Sequence, residues 1–142
     1  SHQVKYFYNY FFVINPFKTK VKSRLIFINS KMLIRQYHRT MQEVFLKAVN
    51  DKLIVRVTYV TNNNRILTRK CVPFDFGPSR KFKDKSKRYH FHDLDSPNGK
   101  HPLPLLPNRV IKIELTANHF NPSDYINWKT RWFLKRNWGV YS

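Results

Sequence analysis

The sequence predicts a mainly β fold with flanking helices: an amphipathic helix followed by a small, strongly bent five-stranded barrel. Three observations carry this expectation. An apolar stripe recurs at helical spacing over residues 41–49, five short segments between residues 53 and 115 read as strands, and turn-forming residues punctuate them. A chain of 142 residues suits one domain with a core. Its hydrophobic content of 42% argues against a disordered polyelectrolyte.

The helix is expected to start at Thr40. Thr40-Met41-Gln42-Glu43 has the form of a capping box, in which a hydroxyl and a carboxylate reciprocally satisfy free N–H groups. Met41, Val44, Phe45, Ala48 and Val49 then form one stripe, and Asn50-Asp51 ends it. Leu53–Val60 alternates and is β-branched, so it reads as the first strand. Asn62, Asn63 and Asn64 supply a turn, because asparagine tolerates left-handed backbone. The return strand spans residues 65–72 and should stop at Pro73. Residues 88–95 form the third strand, Ser96-Pro97-Asn98-Gly99 the next turn, and residues 100–106 a fourth strand whose prolines suggest an edge or irregular position. Residues 109–115 complete the set. Val21 to Ile28 reads as a weak strand. Tyr125, Trp128 and Trp132 fall near one helical face, with Gly139 as its C-cap.

The organisation expected is a basic, aromatic N-terminal extension (1–36), a helix-plus-barrel domain (37–120) and a basic, Trp-rich C-terminal segment (121–142). Residues 1–40 hold eight Lys or Arg and no acid, and the composition shifts near Met32, an alternative start for the compact part. No run reaches the roughly 18 apolar residues of a membrane span, so no membrane role is expected. The aromatic Tyr6–Ile14 stretch lacks the flanks of a signal peptide. Cys71 is the only cysteine, which excludes an internal disulfide and fits a cytoplasmic location.

Charge is the main functional signal. The formal net charge is +19, from 27 Lys and Arg against 8 Asp and Glu. Such self-repulsion favours an anionic partner, nucleic acid first, although codon bias toward Lys, Asn and Ile gives a similar composition. Six of the cations, Arg80, Lys81, Lys83, Lys85, Lys87 and Arg88, surround the single acid Asp84 just before the aromatic strand Tyr89-His90-Phe91-His92. Cations that hold phosphates beside aromatics that stack on bases are the elements of a nucleic-acid surface. A solvated insertion is the alternative.

Enzymatic signals are weak. His90 and His92 share a strand face, but a third metal ligand would have to be Asp95, His101 or His119, and no spacing selects one. Asp93 and Asp95 are raw material for a Mg²⁺ site, yet turn-forming and solvated roles account for them better. With three glycines there is no phosphate-cradling loop. No catalytic residue, metal or other cofactor is expected.

From Thr40 to about Phe120 the order of elements resembles the WYL domain family. The counterparts are Val55-Arg56-Val57-Thr58-Tyr59, Arg69-Lys70-Cys71-Val72-Pro73, Tyr89-His90-Phe91 and Arg109-Val110-Ile111-Lys112-Ile113. The eponymous triplet reads Tyr-His-Phe, and the usual upstream helix-turn-helix is missing. The resemblance implies a stand-alone, SH3/Sm-like β-barrel that binds a ligand such as a nucleotide or nucleic acid and regulates transcription. It implies a ligand surface of Arg69, Tyr89, His90 and Arg109. The functional expectation is therefore a ligand-binding, regulatory domain that recognises nucleic acid or a nucleotide through a basic-aromatic surface. The alternatives are an interaction domain that binds an acidic partner or forms a homodimer, and a metal-dependent nuclease.

Overall fold

The computed structural model of the protein describes residues 23–142. The chain divides into two compact units, Ser1–Tyr37 and His38–Ser142. The Tyr6–Ile14 stretch lies outside the described residues, as does most of the proposed extension. Helix α1 (Ser23–Asp51) begins well before Thr40. The capping-box signature is therefore not an N-terminus, and the weak strand expected over Val21–Ile28 is helical from Ser23. No Gly or Pro interrupts residues 23–51, so nothing in the backbone stops the helix from extending upstream. Glu43 instead pairs with Arg39, one turn back, at 3.3 Å.

In the unit His38–Ser142, five antiparallel strands follow: β1 (Leu53–Val60), β2 (Ile66–Pro78), β3 (Lys87–Asp93), β4 (His101–Leu105) and β5 (Val110–His119). Their order across the sheet is β4-β3-β2-β1-β5. The helix-then-five-strand architecture is as expected, and the Pro-bearing β4 is an edge. No pairing joins β4 to β5 among the described residues, so the sheet is open. It is nonetheless curved. In a flat sheet the two edges would stand about 19 Å apart. The connection from Leu105 to Val110 runs through the 3₁₀ turn Pro107–Arg109, and by its rise per residue it can reach only about 13 Å.

Strand β2 is shared between two ladders. Cys71 is opposite Val55 of β1 and also opposite Asp93 of β3; residues before it pair with β1 and residues after it with β3. This explains why Pro73 does not end the strand. Pairing with β1 has already ceased there, and the β3 ladder shifts register between Pro73 and Asp75, so the absent N–H breaks no ladder.

The core lies between the C-terminal half of α1 and the sheet. Phe45, Ala48 and Val49 of the helix and Val55, Val57, Tyr89 and Phe91 of the strands are buried. Phe45 sits 4.9 Å from the Tyr89 ring and 5.4 Å edge-on from Phe91. Truncating a ring so placed costs about 3–5 kcal/mol. The helix ends at Lys52 in left-handed backbone, φ 55°. Its last carbonyls find donors elsewhere: the Trp138 indole on Val49 O, His119 Nδ1 on Asp51 O and Phe120 N–H on Lys52 O.

The expected C-terminal helix is absent. Residues 121–142 hold only the 3₁₀ turns Pro122–Asp124 and Gly139–Tyr141, and Gly139 opens the second rather than capping a helix. The segment instead straps the side of β2 that β1 leaves uncovered. The Asp75 carboxylate accepts N–H groups of Phe133 (2.8 Å) and Leu134 (2.9 Å). Arg136, stacked 4.1 Å from the Trp132 ring and 4.5 Å from the Trp138 ring, donates to Asp75 and to Phe74 O. The strap thereby covers this stretch of β2. Phe133 lies so close over Gly77 that a Cβ there would collide with its ring.

Candidate functional site

The β2–β3 loop is ordered by its one acid. The Arg88 guanidinium donates to both carboxylate oxygens of Asp84 at 2.8 Å and to Ser86 O at 3.2 Å. Its other face lies 4.1 Å from the Phe82 ring centroid. Ser86 N–H also reaches Asp84, and Lys85 takes left-handed backbone to close the turn. The bond from Arg88, then that from Ser86 N–H, pulls the Asp84 carboxyl down to about 2. This bidentate pair consumes the loop's negative charge. Arg80, Lys81, Lys83, Lys85 and Lys87 are all exposed, and none enters an ion pair among the described residues.

The ten residues read from sequence thus fall into two groups. Those five cations are each exposed on the loop or at the start of β3. The other five are engaged within the fold. Arg88 is 5% exposed and forms the clamp. Tyr89 is 2% exposed, packed on Phe45 and Phe76, and offers no open face for stacking. His90 meets Gly77 O through Nε2 at 2.8 Å. Arg109 donates to Thr61 O at 2.9 Å and so fixes the β1–β2 turn. Arg69 lies on the β1-paired part of β2, away from the loop, with Nε 3.7 Å from Asp93 Oδ2.

Asp93 centres a separate cluster. It is fully buried; Oδ1 accepts the Asp95 N–H, while Oδ2 has no hydrogen bond and faces Arg69 and, at 3.8 Å, His101 Nε2. Asp95 accepts the Lys70 N–H at 3.1 Å, so both carboxylates work as turn and strand acceptors. Burial, then Asp93 and Asp95, push the neighbouring Cys71 thiol far above its ordinary range. His92 leans on Phe74 and Tyr125, and burial lowers its proton affinity, with Lys100 and His101 adding to the effect. No group of three His, Cys, Asp or Glu side chains able to hold a metal occurs among the described residues.

Sequence reading missed the Asp84–Arg88 clamp, although its i,i+4 spacing was visible. It also missed the strap, since the partners Asp75 and Arg136 are 61 residues apart. No helix among the described residues is long and apolar enough to cross a membrane. No family model, curated protein or solved structure matches the chain.

Proposed function

We propose that the protein is a nucleic-acid-binding module that holds phosphates on the β2–β3 loop. One observation carries this reading: the Asp84–Arg88 clamp neutralises the loop's acid and leaves Arg80, Lys81, Lys83, Lys85 and Lys87 exposed together on a chain of net charge +19. Clamping lowers the ordering cost of binding, and counterion release from the nucleic acid supplies affinity. The WYL-like order of elements supports a regulatory role. On this reading the contact surface is the loop, with Tyr89, His90, Arg69 and Arg109 holding the fold beneath and beside it.

The test is anisotropy of a labelled single-stranded 15-mer over a salt series. Neutralising the five cations to Gln should lower the log–log salt slope by about 3.5, at roughly 0.7 per phosphate for single strands. Absence of binding at 50 mM salt, or a slope unchanged in the variant, overturns the reading. Self-association is a second reading, favoured by Met32 and Leu33, which are 63% and 56% exposed on α1. Sedimentation across a concentration range tests it.

A further inference from the structure

An open cleft of about 390 Å³ adjoins the base of the cationic loop. Its walls include His38 and Gln42 of α1, Phe76 of β2 and Pro107-Asn108 of the 3₁₀ turn, and Ser86 and Lys87 carry the loop itself into the rim. We infer that this cleft receives one unstacked base of the single strand whose phosphates the loop holds. The inference rests on the nucleic-acid reading and names the part of the ligand that the loop alone cannot recognise.

The chemistry of the lining selects that occupant. A volume of 390 Å³ falls within the range of small-molecule sites. Phe76 is an aromatic surface of the kind on which a base packs, and Pro107 adds apolar wall. The Gln42 amide carries a donor and an acceptor, which is what a base edge presents. Only Lys87 brings a permanent charge, and it stands where the loop enters. A site for a second phosphate would need more cations, and a site for a purely apolar ligand would not spend an amide on its walls. Burial lowers the proton affinity of His38, so its imidazole adds no permanent charge to the wall.

The experiment compares two labelled 12-mers with equal phosphate number at one salt concentration: a thymidine homopolymer and an abasic strand. The base-bearing strand should bind roughly 5- to 100-fold more tightly, with both strands showing the same salt slope. Gln42→Trp, which fills the cleft, should reduce the homopolymer to the abasic affinity and leave abasic binding unchanged. Gln42→Ala, which keeps the helix and removes only the amide, should reduce the preference by a smaller factor. Equal binding of the two strands by the unsubstituted protein, or a full preference surviving in Gln42→Trp, overturns the base pocket and leaves the loop reading standing. Failure of both strands to bind at low salt overturns the loop reading itself, and the pocket with it.

Discussion

Arg136 meets Asp75 at 3.1 Å while its guanidinium lies over two tryptophan rings, its side chain fully buried. Burial pulls the guanidinium below the ordinary arginine range, and Asp75 offsets that effect. Removing one partner of such a pair strands the other charge. Arg136→Met is therefore expected to destabilise the protein by about 3–5 kcal/mol in urea unfolding. Asp75→Asn combined with Arg136→Met should cost less than the two single changes added together. A loss below about 0.5 kcal/mol for Arg136→Met would show that the strap is ornamental.

Order in the cationic loop should depend on its acid. Asp84→Asn weakens the hold on Arg88, so trypsin is expected to cut the loop several-fold faster with little change in thermal midpoint. Because the Asp84 carboxyl is held down at about 2, against 3.8 normally, the clamp's contribution is present at neutral pH and lost only as pH falls through that lower value. Unchanged cleavage by trypsin would contradict the clamp.

Acid should weaken the fold earlier, through His38 and His92. Both are lowered from 6.5, chiefly by burial. Above 6.5 they are neutral in folded and unfolded chains alike. As pH falls through 6.5 the unfolded chain takes up protons first, so stability declines toward the lower folded values. The thermal midpoint is expected to be lower at pH 5 than at pH 7.5, and His92→Gln should flatten part of that dependence. A rise at pH 5 would reverse the assigned sign.

Cys71 should be chemically silent. It is fully buried, and its thiol is held protonated by burial and by the carboxylates of Asp93 and Asp95. A disulfide reagent at pH 8 is expected to label it only in urea, so labelling in native buffer at the rate of a free thiol would be inconsistent with this site.

What was legible in the sequence is what local periodicity encodes. Alternation located β1, the turn residues located the hairpins, and the prolines of β4 marked an edge. Features set by distant partners were illegible. Pro73 reads as a stop unless it is known that β1 has already released β2 at Cys71. Thr40-x-x-Glu43 reads as a helix start because the signature does not report whether the preceding residues are helical. Arg88 and Arg136 carry the same charge as the exposed loop cations, and only their acids distinguish them. The cleft had no signal at all, since Gln42, Phe76 and Asn108 come from three separate elements.

The strap also has a consequence for the order of events during synthesis. Trp138 donates to Val49 O across 89 residues, and Arg136 reaches Asp75 across 61. At roughly 5–20 residues per second, the ribosome leaves β2 waiting several seconds for the side chain that neutralises Asp75. During that interval the nascent sheet has an uncovered flank and a helix end lacking one of its donors. The protein therefore passes through a vulnerable adolescence in which the stretch of β2 around Asp75 is bare to its neighbours on the polysome.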